Sequence, residues 1–386
     1  MLTKPQSLEI HKRLAIIRRS YRPDGGAERI ISRMLEGFRQ DLSNSLAVSV
    51  LTQKWHGRPN DFNVITIPKR GITRTQKFKN FNDSVVEALE SADFDLIQSH
   101  ERVPGCQIYR AGDGVHKKWL TIRGQYSDNP WEKWFWRNSP FHRAVLSAEK
   151  ALFEHPKLKK VICNSVKIKQ DILDYYPSID ADQLTVIYNG VDLEHFRPVS
   201  ESHRAELRHK FDYKDEDNLL VFVGSGFDRK GLALLLQAMV ATPQWQLIVV
   251  GTDKSQKKYE ILCRKLGIME RVRFLGLQDD VRPFYLISDL LIHPAYYDPA
   301  PNVVLEAMAS GCAVVLSENC GNAEWITEEV EGFVVQPGEV QALVVVLKEA
   351  SDLDLRAMGL RARERVSEYS IDRMITEMKQ LYNGML

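Results

Sequence analysis

Two basic residues follow a glycine-rich loop in the second half of the chain. Residues 221–231 read Val-Phe-Val-Gly-Ser-Gly-Phe-Asp-Arg-Lys-Gly, which predicts a strand, a turn containing Ser225 and Gly226, and the start of a helix. A helix N-terminus offers free backbone N–H groups and the positive end of its dipole to an anion. Arg229 and Lys230 add two positive charges suited to a diphosphate. The alternative is a loop with a solvated Arg–Lys pair.

The loop matches neither of two well-known phosphate motifs. A P-loop requires glycine immediately before its lysine, and the dinucleotide fingerprint requires its third glycine at position 229. Arg229 occupies that position in both cases.

Two acids lie further along the chain with seven residues between them. Asp298 is in a loop after a predicted strand at 290–293, and Glu306 is in the helix that follows. Asn302 and Val303 begin this helix and offer N–H groups to a phosphate. The Glu306 carboxylate has two acceptor oxygens, which suit the two hydroxyls of a ribose. Taken singly, Asp298 could be an N-terminal turn residue and Glu306 an exposed helix carboxylate.

The segment 115–143 interleaves aromatic and basic residues. They include Trp131, Trp134, Trp136, Lys117, Lys118, Lys133 and Arg137. This composition suits a membrane interface, with rings at headgroup depth and cations toward anionic lipid. It also suits an aromatic core helix with a solvated basic face, and both interpretations stay open.

Charge is unevenly distributed along the chain. Residues 1–200 contain 31 Lys and Arg against 23 Asp and Glu, a net +8, and the remainder contains 21 against 28, a net −7. This asymmetry predicts an anionic partner for the first half, although a chance distribution is the alternative. A nucleic-acid partner is not expected, because no base-reading motif is present and the second half is acidic.

Short apolar runs alternate with helical patterns throughout, which predicts parallel sheets with helices on both faces. Strands are predicted at 13–17, 46–52, 96–99, 160–164, 219–223, 246–250, 272–275, 290–293 and 313–316. Helices are predicted at 27–39, 232–239, 257–266, 304–309, 340–350 and 370–384. A ligand is expected in the cleft between two such domains.

The length of 386 residues suits two domains. The boundaries predicted are 1–198 for an acceptor-binding domain, 199–368 for a donor-nucleotide-binding domain, and 369–386 for a helix that crosses back to the first domain. No apolar run is long enough for a membrane span and no signal peptide is evident, so a cytoplasmic location is expected. Five scattered cysteines predict buried, reduced thiols.

Together these motifs resemble the retaining GT-B glycosyltransferases of family 4. Gly25-Gly26 is similar to the family's first glycine loop, residues 189–192 to its interdomain turn, and residues 321–324 to a later loop. Residues 103–105, 224–231, 293–296, 320–321 and the surroundings of Asp113 resemble the lipopolysaccharide core glucosyltransferase I branch. Two departures are Asp298, where that branch usually has Glu, and Pro301, where it usually has Gly.

The resemblance implies an α/β fold of GT-B type, with two Rossmann-like domains facing across a cleft. It implies that Arg229 and Lys230 hold the donor diphosphate, with Ser225, Gly226, Asn302 and Val303 around it, and that Glu306 holds the ribose. The Asp298 loop would contact the transferred sugar. Gly25 and Gly26 would line the acceptor side, with Asp113 and His116 near the donor sugar.

The expected activity is retaining transfer of a hexose from a nucleoside-diphosphate sugar, a UDP-sugar being the expected donor, to a lipopolysaccharide core acceptor. Neither a metal nor another cofactor is expected, and the expected partners are the nucleotide sugar, the lipid-linked acceptor and the anionic inner face of the cytoplasmic membrane. The alternatives are a hexosyl- or mannosyltransferase that builds a capsule or O-antigen on a lipid carrier, and a non-catalytic sugar-nucleotide-binding protein.

Overall fold

A computed structural model describes residues 12–21, 46–55, 63–126 and 129–386. Gly25, Gly26 and the predicted helix at 27–39 lie outside the described residues, as does the side chain of Arg137. The chain divides into two compact units. Unit 1 comprises residues 1–164, 168–187 and 375–386, and unit 2 comprises residues 165–167 and 188–374.

Unit 1 contains a parallel seven-stranded sheet in the order β5-β3-β1-β6-β7-β8-β9. Its strands are β1 (Lys12–Ile17), β3 (Leu46–Thr52), β5 (Asn63–Thr66), β6 (Leu96–Ser99), β7 (Ile108–Arg110), β8 (Lys160–Cys163) and β9 (Leu184–Val186), and the short β2 (Ser20–Tyr21) and β4 (Lys54–Trp55) pair separately. Residues 14–17 of β1 are all buried. Such continuous burial is typical of a parallel strand covered on both faces.

Helices pack around this sheet. They are α1 (Arg74–Glu90), α2 (His116–Tyr126), α3 (Pro130–Asn138), α4 (Pro140–Phe153) and α5 (Val166–Tyr175), with a 3₁₀ turn at Ala181–Gln183. Helix α1 starts where Thr73 and Gln76 form a reciprocal capping box. Helix α4 starts at Pro140, and the Ser139 hydroxyl accepts from the N–H of His142. Both starts therefore follow from local sequence.

Unit 2 contains a parallel six-stranded sheet in the order β12-β11-β10-β13-β14-β15. Its strands are β10 (Asn218–Val223), β11 (Trp245–Val250), β12 (Val272–Gly276), β13 (Leu290–His293), β14 (Ala313–Ser317) and β15 (Gly332–Val335). The strand order is that of a Rossmann sheet, with β10 and β13 adjacent at the point where the order reverses. The loops after β10 and β13 therefore meet at one edge.

Seven helices of unit 2 are described. They are α6 (Glu201–Lys210), α7 (Leu232–Ala238), α8 (Gln256–Lys265), α9 (Arg282–Ile287), α10 (Asn302–Ala309), α11 (Val340–Ala350) and α12 (Leu355–Val366), with 3₁₀ turns at Met269–Arg271 and Gly321–Trp325. Helix α13 (Ile371–Asn383) ends the chain, and its residues from 375 onward belong to unit 1. There the Tyr382 hydroxyl donates to Gln98 Oε1 at 2.7 Å.

The predicted fold class is confirmed as α/β with two parallel sheets. The predicted strands are present within one or two residues, whereas β2, β4, β5, β7, β9 and β15 were not predicted. Strand β9 ends at Val186, before the turn at residues 189–192. The five cysteines are free and buried, as predicted. Across the described helices, none combines the length and hydropathy that a membrane span requires.

Candidate active site

The loops after β10 and β13 bring both predicted motifs of unit 2 together. Three polar side chains converge on one carboxylate oxygen, Asp298 Oδ2. Lys230 Nζ lies 3.2 Å from it, Arg229 Nη1 3.3 Å and His293 Nε2 3.1 Å. We call these four residues the Asp298 cluster. Lys230, His293 and Asp298 are buried, whereas the Arg229 side chain is 37% exposed.

Burial and opposite charge act against each other in this cluster. Burial alone would raise the pKa of Asp298, but the positive charges of Arg229 and Lys230 outweigh it and hold the pKa well below its usual range. Burial lowers the pKa of Lys230, although Asp298 opposes the shift. Burial also lowers the pKa of His293 to about 4. His293 is therefore neutral at pH 7, and its Nε2–H donates to the ionised Asp298.

Backbone contacts fix the two cations in place. Arg229 Nη1 donates to the Tyr297 carbonyl at 2.7 Å, and the Arg229 carbonyl accepts from Tyr296 N–H at 3.0 Å. Gly224 has φ +135°, and a Cβ there would lie 2.7 Å from Lys230 Cε. Glycine at this position is therefore required by both the backbone conformation and the path of the lysine.

The glycine turn itself is held by an aspartate that the sequence did not single out. Asp253 Oδ2 accepts from Phe227 N–H at 3.0 Å, and the N–H of Gly226 also stabilises this carboxylate. Ser225 and Gly226 are exposed at the tip of the turn. Because Asp253 occupies N–H groups of the turn, fewer of them are available to a phosphate than the loop sequence predicts.

The second predicted acid, Glu306, is buried on the first turns of α10. Its Oε2 accepts a hydrogen bond from the Tyr285 hydroxyl at 3.1 Å. Helix α10 begins at Asn302, where Asn302 Oδ1 accepts from Asn189 Nδ2 at 2.9 Å. Val303 is partly buried beside it. The interpretation of Glu306 as an exposed helix carboxylate is therefore wrong.

Two of the predicted site residues of unit 1 are described, and they lie on one turn and the helix after it. Asp113 is exposed between β7 and α2. His116 is the first residue of α2, and its backbone N–H donates to Glu149 Oε1 at 2.8 Å. Burial lowers the pKa of His116 to about 4. Its Nε2 lies 3.0 Å from His142 Nδ1, so the imidazole is part of a pair rather than isolated.

Three residues that contact the predicted site were not predicted as site residues: His293, Tyr285 and Asp253. His293 ends an apolar strand immediately before the Asp298 loop, which is a usable signal at the carboxyl end of a parallel strand. Tyr285 and Asp253 contact the site from 21 and 26 residues away in the chain. No local sequence pattern predicts such contacts. Within the described part of the chain, no three His, Cys, Asp or Glu side chains come together as a metal site.

The aromatic segment of unit 1 is exposed. Trp131, Trp134 and Phe135 on α3 are 73%, 55% and 63% exposed. The core-helix interpretation is therefore wrong for these rings. Trp136 differs, since it is partly buried with the Arg123 guanidinium 3.9 Å from its ring centroid.

The lysines of this segment are not equivalent. Lys118 Nζ lies 3.6 Å from Asp171 Oδ1, and Lys117 Nζ lies 5.7 Å above the Tyr175 ring. Lys133 is exposed.

Comparison with known proteins agrees with this architecture. The family model "Glycosyltransferase Family 4" matches residues 24–195, and "Glycosyl transferases group 1" matches residues 203–373. The lipopolysaccharide glucosyltransferase WaaG of Escherichia coli K12 is 29% identical over 340 residues, covering 86% of this chain and 87% of WaaG. An uncharacterised glycosyltransferase of Methanocaldococcus jannaschii, MJ1607, is 30% identical over 58% of this chain and 59% of its own length.

Solved structures show the same fold. The crystal structure of WaaG, described as a glycosyltransferase involved in lipopolysaccharide biosynthesis, superposes with a TM-score of 0.82 at 26% identity, covering 95% of this chain and 99% of WaaG. Anabaena HepE, solved with UDP and glucose, gives a TM-score of 0.72 at 20% identity, covering 97% and 100%. The chain is a GT-B glycosyltransferase, with a family 4 module in its first half and a group 1 module in its second.

Proposed function

We propose that the chain transfers a hexose, with retention, from a nucleoside-diphosphate sugar to a lipopolysaccharide core acceptor. The Asp298 cluster carries this proposal. Its two cations and one carboxylate give a formal net charge of +1. Arg229 is the partly exposed cation of the cluster. The similarity to WaaG supports the lipopolysaccharide acceptor, and the UDP and glucose bound by HepE support a UDP-sugar donor.

The cluster is suited to stabilising a departing nucleoside diphosphate. Charge develops on the leaving phosphate in the transition state, and fixed cations stabilise it without reorganising. Asp298 Oδ2 already accepts from three donors, so this oxygen holds the cations rather than attacking a sugar. The acceptor hydroxyl would then attack the anomeric carbon of the sugar on the same face from which the diphosphate departs, so the anomeric configuration is retained. Glu306, held by Tyr285, would bind the donor ribose.

A panel of UDP-, GDP- and ADP-sugars with truncated lipopolysaccharides, analysed by product mass and anomeric configuration, tests this proposal. We expect one UDP-hexose to add a single α-linked hexose. Transfer only to a polyprenyl-linked acceptor would instead favour capsule or O-antigen assembly. Donor binding without any transfer would favour a non-catalytic binding protein.

Metal independence is part of the proposal, because Arg229 and Lys230 supply positive charge where other glycosyltransferases use a divalent ion. Turnover should be unchanged by EDTA. Loss of turnover with EDTA, followed by recovery with Mg²⁺, would contradict this part.

We also propose that unit 1 binds the inner face of the cytoplasmic membrane through α3. The exposed Trp131, Trp134 and Phe135 provide an apolar surface, and Lys133 adds a cation beside it. Aromatic rings at headgroup depth with flanking cations are typical of peripheral membrane binding. A lipid-linked acceptor would be presented at that surface.

A further inference from the structure

One buried carboxylate of unit 1 has no part in the function proposed above. Glu149 lies on α4 and is fully buried. Its Oε1 accepts from Arg102 Nε and from the backbone N–H of His116, both at 2.8 Å. Its Oε2 accepts from the backbone N–H of Lys117 at 3.2 Å and from the Tyr176 hydroxyl at 2.7 Å. Each oxygen of this buried group therefore has two donors, as a buried charge requires.

These partners keep Glu149 and Arg102 charged. Burial would raise the pKa of Glu149, but the charge of Arg102 and the hydrogen bonds to the carboxylate outweigh burial and lower it. Burial would lower the pKa of Arg102, but Tyr109 and Glu149 raise it. The Asp113 carboxylate raises the pKa of Arg102 further, so Asp113 lies within electrostatic reach of the guanidinium.

Helix α2 begins where its own sequence disfavours a helix start. Its first turn contains His116, Lys117 and Lys118 and no acidic residue. Lysines are unfavourable at the positive end of the helix dipole, and the preceding Val115 has no polar side chain for capping. Glu149 supplies both a negative charge and two acceptor oxygens from a different helix. The start of α2 is therefore set by a tertiary contact.

The Glu149–Arg102 pair also holds the turn that carries Asp113. Arg102 Nη2 donates to the Gly114 carbonyl at 2.8 Å, while its Nε donates to Glu149. The Gly114 N–H donates to the Ala111 carbonyl at 3.1 Å, and its φ of +65° favours glycine. Asp113 is exposed in this turn, which follows β7. The turn is thus fixed on one side at Gly114 and on the other at the helix start.

We propose that Glu149 is a positioning residue, which holds Asp113 in place for the reaction through Arg102 and the start of α2. Ligands of parallel α/β sheets bind at the carboxyl ends of the strands, and Asp113 follows such an end. A displacement of about 1 Å at a reacting group can cost on the order of 10²-fold in rate. The inference rests on the proposed function and on the expected place of Asp113 near the donor sugar.

Hydrogen exchange measured by mass spectrometry tests this hold without any enzymatic activity. Glu149→Gln keeps the size of the side chain but removes its charge and one acceptor oxygen. We expect amide exchange in residues 111–118 to become about tenfold faster or more, because a charge-assisted cap is lost. Glu154→Gln alters an exposed carboxylate at the end of the same helix and should leave this exchange unchanged. Equal exchange in Glu149→Gln and the wild type would overturn the proposal.

A double-mutant cycle separates positioning from general stability. Glu149→Gln should lower kcat by about 10–100-fold and leave the affinity for UDP unchanged. Asp113→Ala should lower kcat by at least as much. If Glu149 acts through Asp113, then Glu149→Gln should cost nothing further in the Asp113→Ala background. Multiplicative losses would overturn the proposal, because Glu149 would then act independently of Asp113.

Arg102→Lys gives a second route to the same answer if Glu149→Gln does not fold. Lysine keeps a positive charge beside Glu149 but lacks the fork that also reaches the Gly114 carbonyl. It should lower kcat by a smaller factor, and this loss should also vanish in the Asp113→Ala background. A loss that persists there would contradict the proposal. Absence of sugar transfer by the wild type would contradict the proposed function alone, since hydrogen exchange would still report whether Glu149 holds the turn.

Discussion

The Asp298 cluster of unit 2 and the start of α1 in unit 1 differ in whether their cations are paired with a carboxylate. In unit 2, Arg229 and Lys230 lie within 3.3 Å of Asp298, so one of their two positive charges is balanced before any ligand arrives. In unit 1, the Arg74 guanidinium has no described carboxylate partner and lies 3.7 Å from the centroid of the Phe141 ring. A balanced cluster favours precise positioning in a buried site, because unpaired buried charge is costly. A single unpaired cation such as Arg74 can remain at an exposed position, where solvent stabilises its charge.

Removing a cation from the Asp298 cluster should have the largest effect. Arg229→Ala and Lys230→Ala should each lower turnover by about 10²–10³, the usual cost of losing one preorganised charge stabiliser. Steady-state kinetics with saturating donor would measure this. Lys257→Ala, an exposed lysine on α8 of the same unit, is the matched control. A tenfold smaller loss with intact folding would show that the balanced charges serve structure more than catalysis.

Glu306 tests whether unit 2 also contains a carboxylate that binds the donor. Glu306→Ala should weaken nucleotide binding by roughly 10–100-fold, because a charged hydrogen-bond acceptor is lost. Tyr285→Phe removes only the supporting hydroxyl and should cost less. Isothermal titration calorimetry with UDP measures the nucleotide affinities of both variants and of the wild type. Unchanged affinity in Glu306→Ala would remove this residue from the donor site.

The buried His293 should make the Asp298 cluster sensitive to acid. Its pKa is lowered by burial from 6.5 to about 4, so below pH 6.5 the unfolded chain binds a proton that the folded chain does not. Its contribution to the free energy of unfolding is therefore present above pH 6.5 and falls as pH decreases toward 4, by about 2 kcal/mol between pH 7 and 5.

His293→Gln isolates this contribution. Glutamine keeps an N–H donor for Asp298 but does not titrate. Between pH 7 and 5, the free energy of unfolding of the variant should therefore fall by about 2 kcal/mol less than that of the wild type. Urea unfolding at both pH values measures the difference. Because His116 titrates in both proteins, its contribution cancels in the comparison. Parallel pH dependence would mean that His293 is protonated as easily in the folded chain as in the unfolded one.

The smallest expected effect concerns the exposed surface of α3. Lys133→Gln should weaken binding to anionic vesicles by about fivefold, since one cation near such a surface contributes about 1 kcal/mol. The loss should disappear at high salt, where screening shortens the Debye length to a few ångströms, about 3 Å at 1 M. Trp131→Ala should weaken binding at every salt concentration. Co-sedimentation that shows equal binding to neutral and anionic vesicles would contradict the electrostatic part.

The amino-acid sequence alone determined three local features: the alternation of strands and helices, the Arg229-Lys230 loop, and the paired acids Asp298 and Glu306. These features are local, since periodicity, glycine turns and helix starts depend on neighbouring residues. The short strand β7 was not predicted, because its three residues include a buried arginine, Arg110, that interrupts the apolar pattern.

Tertiary structure decided which groups meet. Asp298 is 68 residues from Lys230, Tyr285 is 21 from Glu306, and His142 is 26 from His116. Chain folding sets these separations, and no local spacing encodes them. The structure also decided that Trp131 and Trp134 face solvent, which composition left open. Residue types specified the available chemistry, whereas the adjacency of β10 and β13 decided that two cations and a histidine share one carboxylate oxygen.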